Sequence, residues 1–452
     1  MTDRKSTDIR VRSIGTSYAT YRYRTPIKFG GKTVVECTLL NVECGVETRD
    51  GRTATGFGSM PLGNAWAYPA ASMDSGQTLA AMMMLAERLA RITEREGSYA
   101  HPVDLGVDLE EEFLGAAKDM SVELKLPQPV PKLATLVTGS AFDAAIHDAF
   151  GKAHGMNCYH TYGPEFLSRD VGSYLGREFD GLFLDACVRR EPVTQLPMYH
   201  LVGALDPLTL AEVPRPIGDG LPETLLEWIA RDGLSHLKIK LNGDDLGWDL
   251  ERVLAVDRLA TGYAARSAGE WRYSLDFNER CQNVEYLVEM LTKLRECSPA
   301  GFDRVQYIEQ PTARDLQAHP ENRMHAAAKL RPVVIDESLT DLESLNLARE
   351  MGYTGVALKA CKGQSQSLLM AAAAQHLGLF LCVQDLTCPG ASLIQSASLA
   401  AHVPGVAGIE ANARQYCPAA NEGWEARFPG VFVIRGGVME TGGLVGPGLG
   451  AV

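Results

Sequence analysis

The chain has 452 residues, of which 46% are hydrophobic and 22% charged, and its net charge at pH 7 is −13. That length can bury a large core and allows two or three domains, or one (β/α)₈ barrel of roughly 250 residues plus a second domain. The acidic balance argues against nucleic acid as a partner, because phosphate backbones call for a basic face.

The charged N-terminus, MTDRKSTDIRVRS, is not followed by an apolar stretch, so no signal peptide is expected. Strand-like alternation comes next, in KTVVECTLLNVECGVETRDGRTATGFG. Val35, Cys37 and Leu39 fall on one face, and Asp50–Gly51 marks a turn between two strands. An amphipathic helix is expected over 77–94. A second one, SAFDAAIHDAFGKAHG, runs from Ser140 and stops at Gly155. Together these predict an α+β domain over 1–160, followed by a connecting excursion over 161–191 whose glycines and charges show no clear period. GGKT at Gly30–Thr33 resembles the end of a phosphate-binding loop. Its first glycine would fall at Pro26, however, and a strand pattern follows where a helix is required.

Beyond 192 the chain becomes regular. Eight short apolar runs recur: QLPMYHLVG, SHLKIKL, RYSLDFN, RVQYIEQP, PVVIDES, GVALKACKG, LFLCVQD and VAGIEAN. Most are followed by a helical pattern, the weakest lying around 324–329. Strand alternating with helix means parallel βαβ units, and eight of them favour a closed barrel over 192–420. The tail, 421–452, is Gly-rich and strand-like and is expected to return to the first domain. Ten cysteines without a CxxC pair read as reduced, buried thiols of a cytoplasmic protein. Apolar runs such as LLMAAAAQ are too short to span a membrane.

Function in a parallel barrel sits at the C-terminal ends of the strands. Five consecutive strands end in ionisable groups: Lys238 and Lys240, then Asp276, Glu309, Asp336 and Lys359. Alternation puts Lys238 and Lys240 on one face of their strand, and Asp276 and Asn278 together on theirs, with Phe277 turned away. The second and sixth strands lie opposite one another in an eight-stranded barrel, so Lys240 and Lys359 flank a substrate while the three carboxylates gather between them. Three hard oxygen donors suit magnesium better than zinc. Such an ion would absorb the charge of an enediolate formed when the α-proton of a carboxylate leaves. Lys238 beside Lys240 is expected to lower a lysine pKa toward working pH and to assist as a third catalytic group. Glu337 competes with Asp336 as a ligand, and alternation favours only one of them. Asn278 is a supporting group. Lys362 lies past the strand end. Asp385 and Glu410 are candidates to hydrogen-bond a polar substrate. Lys28 and Trp66, in the loops TPIKFGG and SMPLGNAWAYP, are candidate substrate contacts. His200 is as well read as a satisfied barrel histidine.

KIK at 238–240, DFN at 276–278, IEQP at 308–311, IDES at 335–338 and LKACKG at 358–363 resemble the enolase superfamily, and within it the muconate-lactonizing-enzyme subgroup of the mandelate racemase/muconate lactonizing enzyme family. The helix SAFDAAIHDAFGKAHG and PGLG near the C-terminus are similar to that family's motifs. The resemblance implies an α/β fold: a (β/α)₇β TIM-like barrel with an α+β capping domain built from the N-terminal region and the C-terminal tail. It implies Mg²⁺ on Asp276, Glu309 and Asp336, an acid–base pair in Lys240 and Lys359, a small-molecule carboxylate substrate and a homo-oligomer. Racemase/epimerase or cycloisomerase is the expected activity, with an acid-sugar or hydroxy-acid dehydratase as the alternative on the same site. CVQDLTCPG at the seventh strand lacks the histidine of the mandelate-racemase-like branch, and KGQSQ replaces the double glycine often found after the sixth. A glycosidase using Glu309 with Asp385 leaves three strand-end lysines without a role, and a non-catalytic carboxylate-binding barrel leaves the whole set redundant.

Overall fold

The structure is a computed structural model that describes residues 5–29, 31–263 and 271–450. Gly30, which belongs both to the GGKT string and to the loop TPIKFGG, lies outside these, as do the first four residues of the expected first domain and the last two of the tail.

Three antiparallel strands open the chain: β1 (Ile9–Phe29), β2 (Lys32–Thr48) and β3 (Thr53–Pro61). Lys32 and Thr33 lie in a strand paired to Phe29 and Lys28, and not at the start of the helix that a phosphate-binding loop requires. Leu40, Val42, Cys44 and Val46 form the buried face of β2. The opposite face carries Val35, Cys37 and Leu39. Cys37 and Leu39 are buried against Cys417 and Ala420, from the segment that follows the last barrel strand. Val35 lies beyond that patch and is 54% exposed.

Helices Ser75–Arg95, Pro102–Glu123 and Lys132–His154 cover the sheet. Asp74 and Gln77 form a reciprocal capping box on the first, and Pro102 opens the second with no amide to lose. The third begins eight residues earlier than the sequence suggested and ends where Gly155 adopts φ 64°. It lies directly on β3: a Cβ at Gly56 or Gly58 would come within 2.1 Å of Ala145 O and 2.0 Å of Ala141 O respectively. Segment 161–191 contains the short helix Val171–Leu175 and 3₁₀ turns. Arg169 pairs with Asp104 and Asp108 of the second helix, and Phe179 packs on His376.

Eight parallel strands then close a barrel: β4 (Gln195–Val202), β5 (His236–Lys240), β6 (Arg272–Asp276), β7 (Val305–Glu309), β8 (Val333–Ile335), β9 (Gly355–Leu358), β10 (Phe380–Val383) and β11 (Val406–Glu410), with β11 paired back to β4. The helix after β7 is only His325–Ala328. In the tail, β12 (Val438–Glu440) pairs antiparallel with β4. The chain then reaches helix Lys132–His154, where Leu449 N donates to Asp148 Oδ1. All ten cysteines are free thiols, nine of them buried. Among the described residues no helix is long and apolar enough to cross a membrane.

Candidate active site

Strand register assembles the charged groups. Lys240 lies opposite Asp276 in the β5–β6 ladder, and Asp276 opposite Glu309 in β6–β7. Glu309 is opposite Val334, so Asp336, two residues on, returns to the same face. Lys359 follows directly after β9. Lys238, Lys240, Asp276, Glu309, Asp336 and Lys359 are each no more than 4% exposed. Lys240 Nζ donates to Asp276 Oδ2 at 2.5 Å and to Asn278 Oδ1 at 3.0 Å. At the other end of the carboxylate arc, Lys359 Nζ is 2.8 Å from Asp336 Oδ2. Lys240 and Lys359 thus stand at the two ends of the arc Asp276–Glu309–Asp336.

Lys238 occupies the interior of the arc. Its ammonium is 2.9 Å from Glu309 Oε1, 3.1 Å from Asp276 Oδ2 and 2.8 Å from Glu410 Oε2, and it donates to Gln384 Oε1 at 3.1 Å. Burial alone would lower its pKa, but Glu309, Glu410 and Asp276 hold it well above the ordinary lysine value. The expectation that pairing with Lys240 would lower a lysine pKa is thus corrected for Lys238, because three carboxylates outweigh one neighbouring cation. Lys359 is likewise raised: burial opposes its charge, and Asp336 more than compensates. Burial would raise the Asp276 carboxyl, but Lys240 and Lys238 hold it well below the usual carboxylate range. Glu309 is pushed well up by burial and by the charges of Asp276 and Asp336.

Positive φ values cluster just past the strand ends, at Asn278 (46°), Glu279 (66°) and Gln310 (29°). Side chains rarely adopt this conformation without local over-determination, and such residues gather at functional sites. Here Asn278 N donates to Asp276 Oδ1, and Gln310 Oε1 accepts from Asp336 N and Ser338 N. Asn278 reaches Lys240 through this left-handed turn, where the sequence reading relied on strand alternation.

The first domain roofs the mouth. Trp66 Nε1 donates to Glu337 Oε1 at 2.9 Å, and the indole lies 4.3 Å from Lys359 Nζ. Glu337 thus turns away from Asp336 toward the roof. Its Oε2 is buried without a partner, and burial, with Asp336 and Glu279 nearby, pushes its carboxyl up to about 8. Lys28 Nζ donates to Asn242 Oδ1 and lines a 30 Å³ cavity together with Lys240 and Asn278. An adjoining cavity of 230 Å³ is lined by Trp66, Asn278, Glu279, Arg314 and Glu337.

The other candidates lie around this arc. Asp385 is buried, accepts from Asn412 N and Nδ2, and is pushed up to about 7 by burial and Glu410. Glu410 pairs with Lys238, so these two carboxylates organise the floor of the barrel mouth. His200 is buried between Arg414 Nη2, 3.3 Å from its Nδ1, and Gln415 Nε2, 3.1 Å from its Nε2. Lys362 is more deeply placed than its loop position suggested: it is 2% exposed, with Nζ 2.5 Å from Asp336 O and 3.4 Å from Asp336 Oδ1. Gln384, which bridges Lys238 and Glu309, was not singled out from the sequence. An uncharged residue at a strand end carries no signal until its neighbours are known.

The donor set fits magnesium in its chemistry: three buried carboxylates on one face, two of which raise the pKa of the third by mutual repulsion, the effect a divalent cation relieves. As the side chains stand, no three His, Cys, Asp or Glu groups among the described residues are arranged about a common metal point. The Lys238 ammonium instead lies against both Asp276 and Glu309.

Comparison with known proteins places this geometry in context. The family described as Enolase C-terminal domain-like matches residues 221–452. No curated protein matches the chain. Among solved structures, the L-Ala-D/L-Glu epimerase from Bacillus subtilis, in a substrate-liganded complex, is 16% identical with a TM-score of 0.64, over 98% of this chain and 99% of that one. A dipeptide epimerase from Enterococcus faecalis complexed with Mg and the dipeptide L-Leu-L-Tyr is 17% identical, TM-score 0.63, over 98% and 99%. The muconate lactonizing enzyme from Pseudomonas fluorescens complexed with muconolactone is 17% identical, TM-score 0.63, over 98% and 96%. The chain belongs to the enolase superfamily, in the mandelate racemase/muconate lactonizing enzyme family.

Proposed function

We propose that this enolase-superfamily enzyme removes the α-proton of a small carboxylate substrate, with Lys240 and Lys359 as opposed acid–base groups on the two sides of the α-carbon. The observation that carries this reading is the placement of those two lysines at either end of the buried arc Asp276–Glu309–Asp336. An amine accepts a proton only when neutral, so the lysine acting as base enters deprotonated and the opposite one enters as ammonium. If the proton returns on the opposite face, the product is a racemate or epimer. If a β-hydroxyl leaves, the same enediolate gives a dehydrated acid; if the β-leaving group is a ring carboxylate, the ring opens, and in the reverse direction ring closure forms the enediolate and a lysine protonates it to give the cycloisomer.

Asp276, Glu309 and Asp336 would hold Mg²⁺, in keeping with the magnesium carried by one of the solved neighbours. The ion would supply charge stabilisation for the carboxylate and its enediolate. The remaining work belongs to the chain. Lys238 holds Asp276 and Glu309 in place and balances Glu410. Asn278 orients the Lys240 ammonium. Trp66 closes the roof over Lys359 and limits water at the reacting carbon, while Glu337 fixes the indole. Lys28, which shares a cavity with Lys240, meets the end of the substrate remote from the reacting centre, and Asp385 supports the floor through Asn412. Activity as a homo-oligomer in the cytoplasm is part of the same proposal.

The test is incubation with panels of acid sugars, N-acyl amino acids and dipeptides in deuterated water with magnesium. Exchange at the α-carbon, lost on chelation, is expected for at least one class, and the product distinguishes isomerase from lyase. Absence of exchange across all classes contradicts the proposal.

A further inference from the structure

The first domain and the barrel also meet through a pair of thiols that the proposed chemistry does not use. Cys37 lies on β2, opposite Tyr21 of β1, and Cys417 follows the short helix Ala413–Tyr416 that comes after β11. With Leu39 and Ala420 they form one buried patch. The two sulfurs bear directly on one another. The Cys37 thiol donates a hydrogen bond to Cys417, which raises its own pKa and holds that of Cys417 below the ordinary thiol value. No other buried thiol of the chain is held down: the remaining eight are all raised. The Tyr23 hydroxyl in turn donates to the Cys37 sulfur.

Cys37 is reachable where Cys417 is not. It lines a cavity of about 330 Å³ between strands β1 and β2, the loop that carries Trp66 and the start of helix Ser75–Arg95, with Tyr23, Thr38, Trp66 and Leu386 among its walls. Cys417 is 0% exposed, so a reagent in the cavity meets the Cys37 sulfur first. A third thiol, Cys388, is nearby but engaged: its Sγ accepts from Leu386 N and lies 3.8 Å from Met60 Sδ. The loop over the mouth is anchored beside Cys37, because Leu62 N donates to Thr38 O at 2.9 Å, four residues before Trp66. A covalent bond at Cys37 therefore ties the stem of the Trp66 loop to the barrel.

We propose that Cys37 and Cys417 are an oxidative modification site: hydrogen peroxide entering this cavity converts them to a reversible disulfide that locks the roof of the mouth to the barrel. In the first step the Cys37 sulfur bonds to one peroxide oxygen and the O–O bond breaks. The departing hydroxide takes up the Cys37 proton as water, and Cys37 becomes a sulfenic acid. In the second step the Cys417 sulfur attacks the Cys37 sulfur. The S–S bond forms, the S–O bond breaks, and the second hydroxide leaves as water with the Cys417 proton. Two thiols are oxidised and one peroxide is reduced to two waters. Tyr23 supports the first step by donating to the sulfur as its proton departs. Cys417 supplies the resolving thiol that stops Cys37 from passing to higher oxidation states. The bond joins positions near the two ends of the chain, and a cross-link closing so long a loop restricts the unfolded state strongly.

The test is treatment of the full chain with hydrogen peroxide, alkylation of the remaining thiols in denaturant, and peptide mapping without reductant. A peptide linking Cys37 to Cys417 is expected, with eight of the ten cysteines alkylated and the link lost on addition of dithiothreitol. The oxidised chain should unfold at a higher urea midpoint than the reduced one. Cys388→Ser should form the link as the parent does. Cys417→Ser should leave Cys37 as a sulfenic acid that dimedone captures, and Cys37→Ser should leave Cys417 unlabelled. The proposal is overturned if mapping of the parent chain shows no link or a link from Cys37 to Cys388, if the urea midpoint does not rise on oxidation, or if dimedone labels Cys417 in Cys37→Ser but not Cys37 in Cys417→Ser.

Discussion

Replacing Lys238 with Met removes the one cation that touches three buried carboxylates, Glu309, Asp276 and Glu410, without changing side-chain length greatly. Breaking a buried charge pair by deleting one partner costs about 3–5 kcal/mol, since the surviving charge stays out of water. Several contacts soften the loss here. Lys240 still holds Asp276, Gln384 still donates to Glu309, and Asn412 Nδ2 donates to Glu410 Oε1. The expected cost at pH 7 is therefore at the lower end, about 3 kcal/mol. The pH dependence has a defined sign. Glu309 already has a raised carboxyl pKa, and losing Lys238 raises it further. A carboxyl whose folded-state pKa exceeds its unfolded one stabilises the fold below the unfolded value and loses that contribution as pH rises through the folded value. The deficit of Lys238→Met should thus grow from pH 5 to pH 8. Urea unfolding of parent and variant across that range reads it directly. Equal midpoints at pH 7, or a deficit that widens toward acid, would refute the reasoning.

Three further outcomes follow from separate parts of the molecule. His402 is stacked on Tyr159 with ring centroids 3.7 Å apart, and burial pushes its pKa down to about 4. Stability is complete above the unfolded histidine pKa near 6.5 and falls as pH drops toward 4, by up to about 3 kcal/mol. His402→Phe should flatten the stability profile measured by denaturant titration in that window, and an unchanged slope would count against it. Gly58→Ala drives a methyl into Ala141 O at 2.0 Å, so helix and sheet must separate. Limited proteolysis should then cut the first domain preferentially, and a parent-like digestion pattern would contradict the close packing. Trp66→Phe keeps a ring near Lys359 but deletes the donor to Glu337. A loss of about 1–3 kcal/mol in urea unfolding is expected, because both Glu337 oxygens are then unpaired, and no loss would mean that Glu337 finds another partner.

The barrel and its charged mouth were legible because the signal is local and repeated. Each strand is a short apolar run, five consecutive ones are closed by an ionisable residue, and period-two alternation fixes which side chains share a face, as for Lys238 and Lys240. Helix Pro102–Glu123 was not legible in the same way: three consecutive glutamates blur its apolar stripe, and only packing on the sheet decides it. Val35 shows the limit of alternation, which gives the face shared with Cys37 and Leu39 but not where the neighbouring surface ends. Within the site, the charged residues were visible from sequence, but Gln384 and Gln310 were not. Their importance lies wholly in what the fold brings beside them. The Lys238 environment was misjudged because sequence pairs it with the neighbour two residues away, whereas the barrel surrounds it with carboxylates from β6, β7 and β11.

The most direct measurement is stereospecific deuterium exchange by the two single variants Lys240→Ala and Lys359→Ala, using a substrate found in the acid panel and its mirror image at the α-carbon. With lysines on opposite faces, each variant should lose α-proton exchange for one stereoisomer and retain it for the other, the two variants having opposite preferences. Loss of exchange for both stereoisomers in one variant, with no effect in the other, would show that a single lysine carries the proton chemistry and would contradict the opposed pair.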